Sequence, residues 1–146
     1  MERQSWLFRA GIALVLFAAL VGLGINHFAV PRLALSGHLI GILQGTFLVV
    51  MGLLWPRLSL GPVQSTLVFW LLIYQSVAAP LANLLGAAWG AGSSIVPIAA
   101  GGAQGSTAQE IVINICLRSA GAALIISLAL VLWGLRRGKA ATASSR

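Results

Sequence analysis

The sequence predicts an all-α integral membrane protein, a bundle of four transmembrane helices. Hydrophobic residues make up 59% of the chain and charged residues only 8%. Soluble domains carry about 25% charged residues, so this composition cannot cover a water-facing surface. Four apolar stretches reach the length of about 20 residues that a helix needs to cross a bilayer. The cations cluster beside those stretches, as topology signals do. The formal net charge of +7 is therefore read as membrane topology, and a nucleic-acid partner is excluded.

The first span covers roughly Trp6 to Val30, with Arg9 able to snorkel to the interface. Arg3 and Arg9 ahead of an apolar run resemble a signal peptide, but Ala10 to Ile25 offers no convincing cleavage site, so the segment is read as a retained helix. The second span covers Gly37 to Trp55, the third Val63 to Ala88 and the fourth Ile111 to Leu135. Pro31, Pro56 and Pro62 fall in the connections, where a missing N–H costs nothing. Residues 1–137 form one transmembrane domain (spans 6–30, 37–55, 63–88 and 111–135), and 138–146 a basic, polar tail expected to be disordered at the headgroups.

With four spans both termini share a side. That side carries Arg3, Arg9, Arg57, Arg136, Arg137, Lys139 and Arg146, and the other carries Arg32. The positive-inside rule then makes both termini cytoplasmic, in a bacterial-type inner membrane. The connection from Trp89 to Glu110, WGAGSSIVPIAAGGAQGSTAQE, is apolar yet rich in glycine. Irregular backbone at membrane depth needs protein around it or a cavity beside it, so this segment is expected to pack over the non-cytoplasmic mouth of the bundle. Ser106 or Thr107 can cap the fourth span, with Gln109 or Glu110 closing a capping box.

His38 is the first candidate for chemistry. A ring nitrogen in hydrocarbon must face a partner, a cavity or a metal. Gly37, Gly41 and Gly45 form a ladder on one helix face that lets a neighbouring backbone approach, with packing the better reading. Gln44, seven residues after Gly37, lies near that face, and His38 is offset from it by about 100°. The third span carries Tyr74, Gln75, Ser76 and Asn83, with Pro80 able to kink the helix by breaking its bond to Ser76. These polar groups either glue helices together or line a pocket.

Glu110, Asn114 and Arg118 form an i, i+4, i+8 stripe on the fourth span. Glu110 lies about 12 Å from Arg118 along a straight helix, so Asn114 could bridge them. The stripe is either structural or a cationic clamp for a carboxylate such as a haem propionate. Cys116, the chain's one cysteine, reads as a small buried apolar residue. With His27 at the end of the first span as the only other histidine, no zinc site of three or four ligands can form. A single histidine can hold a haem iron axially and leave the opposite position open.

The stretch LSGHLIGILQGTFLVVMGLLWPRL, the YQS segment, WGAGSSIVPIAAGGAQGSTAQE and the closing VLWGLR together resemble the hydroxylaminobenzene mutase family, relatives of the membrane-bound styrene oxide isomerases. The resemblance covers roughly Arg32 to Arg137. It implies four transmembrane helices, a homotrimer, and haem b between adjacent protomers, ligated by the histidine that corresponds to His38. Tyr74 matches the family's aromatic at the start of the third-span segment, and Asn83 is carried over with it. The family's asparagine is replaced here by Gln44, and its acidic residue near Ile40 is absent.

The activity so implied is intramolecular isomerisation of a small aromatic substrate that partitions into membrane lipid. Ferric haem as a Lewis acid would rearrange an arylhydroxylamine such as hydroxylaminobenzene to an aminophenol. The alternative substrate is an aryl epoxide of the styrene oxide type, giving an arylacetaldehyde. Gln44, Tyr74 and Asn83 are the expected catalytic residues, His38 the metal ligand, and Arg118 the candidate partner for a propionate. The rival reading is a non-catalytic transporter or scaffold subunit.

Overall fold

A computed structural model describes residues 2–143, with side chains through Arg136. The described chain is helical, with no strand: α1 (Glu2–Leu23), α2 (Pro31–Leu54), α3 (Pro62–Trp89), the short α4 (Pro97–Ala100) and α5 (Thr107–Ala143). Among the described residues, four helical stretches are long and apolar enough to cross a membrane: Glu2–Leu23, Pro31–Arg57, Pro62–Trp89 and Thr107–Arg136. Leucines and isoleucines such as Ile12, Leu43 and Ile125 stand exposed along them. In water that surface would be an aggregation liability; in a bilayer it is the face lipid requires.

The helix ends follow local chemistry and differ from the sequence expectation at the end of α1, the start of α2 and the end of α5. α1 stops at Leu23, where Gly22 and Gly24 weaken the helix and a 3₁₀ turn, Ile25–His27, follows. α2 begins at Pro31, six residues before the expected Gly37, because proline at the first helical position lacks only an N–H that would be unpaired anyway. Arg32 and Ser36 are thereby helical. α3 runs unbroken through Pro80 and closes on Gly90, whose φ of 67° is a left-handed cap that only glycine adopts freely. The backbone of α5 continues as helix to Ala143, past the expected end at Leu135. Residues 144–146 of the basic tail lie outside the described ones.

The long helices pack as consecutive neighbours, α1 on α2, α2 on α3 and α3 on α5. The glycine ladder makes the first two seams. A β-carbon at Gly45 would lie 2.6 Å from the Gly11 carbonyl oxygen, and one at Gly41 would lie 2.8 Å from the Ala18 methyl, both on α1. One at Gly37 would lie 2.8 Å from a Leu84 methyl on α3. Two apolar clusters result. One gathers Leu7, Leu14, Leu48, Met51, Val68, Leu72 and Val131; the other, toward the Gly-rich connection, gathers Val30, Leu33, Ala34, Ala87 and Ala100. Between them along α2 and α3 lies a layer of polar side chains.

Candidate functional site

His38 lies in the third turn of α2 and turns toward α1. Its Nδ1 is 2.7 Å from the Ala18 carbonyl oxygen. A carbonyl only accepts, so Nδ1 carries the proton. In the neutral ring Nε2 then bears the lone pair. No buried side-chain nitrogen or oxygen among the described residues lacks a partner. Nε2 has no partner among the described residues and so reaches the molecular surface. Gly22 supplies the room: a β-carbon there would lie 2.7 Å from Cε1 of the ring.

Gln44 turns to the other side of α2. Its Oε1 accepts from the Ser76 hydroxyl at 3.3 Å, and Ser76 in turn accepts from the Gln75 amide at 2.7 Å. Gln75 and Ser76 are fully buried, so this chain of bonds satisfies polar groups at the α2–α3 seam. Asn83, also buried, donates to the Ala79 carbonyl one turn back on its own helix at 2.9 Å.

Tyr74 faces α5. Its phenol oxygen is 2.6 Å from Ser119 Oγ. Ser119 has one proton and lies 2.7 Å from the Ile115 carbonyl, which can only accept. The phenol therefore donates to Ser119. Arg118, next along α5, is exposed and donates through Nε to Asn114 Oδ1 at 2.6 Å.

The chain has two acidic residues, Glu2 and Glu110, and Glu110 is committed elsewhere. Its Oε1 accepts from the Gly92, Ser93 and Gly105 N–H groups at 2.8, 3.3 and 3.2 Å, and its Oε2 from Ser94 N–H at 3.1 Å. It pins both ends of the glycine-rich connection over the start of α5. The capping box belongs instead to Ser106 and Gln109, whose side chains each bond the other's backbone N–H.

The candidate residues are thus distributed over three seams: His38 at α1–α2, Gln44 at α2–α3, and Tyr74 at α3–α5. One chain does not bring His38 and Tyr74 into a common pocket. The sequence foresaw α1 as a span but assigned no site residue to it. Ala18 and Gly22, spaced like an interfacial small-residue pair, carried the one available signal. Among the described residues no group of three histidine, cysteine or acidic side chains could hold a metal ion.

Four membrane-length helices, a histidine with one ring nitrogen tied to backbone, and an exposed arginine at membrane depth define a small polytopic membrane protein with polar groups held ready on its helix faces. The styrene oxide isomerase family model matches residues 3–136, and the chain belongs to that family. It is similar to hydroxylaminobenzene mutase HabB of Ectopseudomonas oleovorans, 45% identical over 134 residues covering 92% of this chain and 82% of that protein. Hydroxylaminobenzene mutase HabA of the same organism is 37% identical over 134 residues, 92% of this chain and 99% of the relative. No solved structure matches significantly. The protein is an isomerase of the mutase type, as the resemblance implied, and the transporter or scaffold reading falls away.

Proposed function

We propose that the protein rearranges an arylhydroxylamine such as hydroxylaminobenzene to an aminophenol, at a haem-dependent site formed between adjacent copies of a homotrimer. The observation that carries the site is the His38 hydrogen bond to Ala18, which leaves Nε2 with a free lone pair at the surface of a membrane helix. Metal-ligating histidines ordinarily donate their other N–H to a carbonyl or carboxylate, so the donor chemistry here fits a haem iron. Arg118, with no carboxylate in reach among the described residues, suits a propionate. The substrate class rests on the two mutases to which the chain is similar.

The homotrimer has physical support in the exposed polar groups. Tyr74 is 46% exposed, and Arg118 stands exposed in the fourth turn of α5, inside the membrane-length stretch Thr107–Arg136. Polar groups at that depth are costly against lipid. A second copy laid against α3 and α5 would cover them and bring Tyr74 of one copy toward His38 of the next.

When bound, ferric haem supplies Lewis acidity toward the substrate oxygen. The reaction is an isomerisation: the N–O bond breaks, a ring C–O bond forms, and the proton displaced from the ring balances the one taken up at nitrogen. Tyr74, whose phenol carries a proton, would donate a hydrogen bond to the departing oxygen. Gln44 and Asn83 would orient the nitrogen once their present bonds to Ser76 and Ala79 are exchanged for substrate. The apolar helix faces exclude water that would otherwise capture a cationic ring. In this reading Arg3, Arg9, Arg57 and Arg136 mark the cytoplasmic side of the inner membrane, with both termini there.

The family name favours a second reading, an aryl epoxide opened and rearranged to an arylacetaldehyde. Product analysis separates the two. The purified enzyme is given hydroxylaminobenzene and styrene oxide in parallel. Aminophenol formed at the higher kcat/KM supports the mutase reading; faster conversion of the epoxide to phenylacetaldehyde would replace it.

A further inference from the structure

We infer that α1 builds the socket that fixes the His38 imidazole, with Ala18 and Gly22 as its positioning residues. The inference deepens the proposed ligand role of His38 and rests on it only for its functional meaning. Ala18 and Gly22 are one helical turn apart and share a face of α1. Each constrains the ring differently. The Ala18 carbonyl takes the Nδ1 proton at 2.7 Å, which sets the ring's rotation and tautomer. Gly22 sets its distance from α1. A β-carbon at position 22 would lie 2.7 Å from Cε1, 2.8 Å from Nδ1 and 3.5 Å from Nε2.

The first two distances are shorter than real carbon contacts allow, so the imidazole occupies the volume where any other residue at position 22 would carry its side chain. Nε2 is the ring nitrogen farther from that point, so the edge carrying Nδ1 and Cε1 is seated and the lone pair at Nε2 is left outward. The same turn of α1 is held in place from below: the Ala18 methyl packs on Gly41, where a β-carbon would lie 2.8 Å away. The socket is therefore continuous with the glycine ladder of α2. Bulk added at Gly22 meets the Cε1–Nδ1 edge of the ring first and so displaces the whole imidazole.

Two measurements on the full chain in detergent test this. The first is a double-mutant cycle between positions 22 and 38, read as the thermal unfolding midpoint. Gly22→Ala should lower the midpoint by about 2–6 °C beside His38 and leave it nearly unchanged in the His38→Ala background, where the ring is gone. Gly121→Ala, at a helical glycine with nothing within 4 Å of an added β-carbon, should leave the midpoint the same or slightly higher, and by the same amount in both backgrounds. If Gly22→Ala alone prevents folding and the double variant folds, the socket stands. Equal losses in both backgrounds, or folding of neither, would mean that Gly22 serves helix packing in general and would overturn it.

The second measurement is the ¹⁵N spectrum of the imidazole in chain prepared without haem. His38 should carry its proton on Nδ1, and Gly22→Ala should shift the ring toward a mixture of tautomers. A wild-type ring protonated on Nε2 would overturn the socket. Neither readout needs haem. A coupled pair without haem binding would keep the socket and remove the ligand role; haem binding with an uncoupled pair would do the reverse.

Discussion

The carboxylate of Glu110 accepts the Gly92 N–H at 2.8 Å and, through the same oxygen, the Gly105 N–H at 3.2 Å. These glycines stand at opposite ends of the segment between α3 and α5, which holds the short α4 and packs on Leu33 and Ala87. One anion thus satisfies N–H groups on both sides of α4. Hydrogen bonds to a charged acceptor contribute about 1.5–3 kcal/mol each when formed. Glu110→Gln keeps the shape but removes the charge and turns a donor toward the N–H groups. We expect a stability loss of about 1–3 kcal/mol, with faster proteolysis within residues 92–105. Limited proteolysis beside a thermal melt reads both, and unchanged cleavage would show that the segment is held by its apolar contacts instead.

Gly45 meets backbone, not a yielding side chain: an added β-carbon would lie 2.6 Å from the Gly11 carbonyl. Gly45→Ala is expected to push α1 off α2 and cost about 1–3 kcal/mol. Since the same seam carries Ala18 and His38, cofactor retention should fall with it. A melt in detergent checks the first part. A Gly45→Ala variant as stable as the parent would contradict the close packing of these helices.

Tyr74→Phe removes one phenolic hydrogen bond to Ser119, which keeps its own bond to the Ile115 carbonyl. Such interhelical bonds are worth about 0.6 kcal/mol in membranes, so the fold should be nearly unaffected. If the phenol stabilises the departing oxygen, kcat should fall by about a hundredfold. Ser119→Ala, which frees the phenol without removing it, should retain activity. Equal and small effects of both variants would make the pair helix glue alone.

Arg118→Gln keeps a donor for Asn114 but loses the charge. The haem content per chain is expected to drop severalfold while the melting temperature holds, and Arg118→Lys should restore part of it. Pyridine haemochrome titration against protein concentration measures this. Unchanged haem with a lowered melting temperature would assign Arg118 to helix contact.

Much of the fold was legible because membrane spans obey one strong constraint, length of apolar helix. The glycines at 37, 41 and 45 announced a packed face, and Ser106 with Gln109 a helix start. Boundaries set by single residues were harder: apolar periodicity carried the first span through to Val30, whereas the glycines after Val21 end it at Leu23. His38 could be singled out from composition alone, but its partner could not. The acceptor is the Ala18 backbone carbonyl, a group every residue has and no sequence pattern marks. Likewise, Gln44 and His38 were placed on different faces of α2 correctly, yet nothing in the spacing said which neighbour each face would meet. Glu110 read as a helix cap because it stands three residues after Thr107; its bonds to Gly92 and Ser94 depend on a loop returning from 16 to 18 residues away.

The central claim is that His38, seated by α1, presents Nε2 to a haem iron. The most direct measurement is the visible absorption spectrum of the detergent-purified protein expressed with ample haem, compared with His38→Ala. The account predicts a Soret band corresponding to about one haem per chain, abolished or shifted in the variant. A protein that turns over substrate with no Soret band, or a band untouched by His38→Ala, would contradict it.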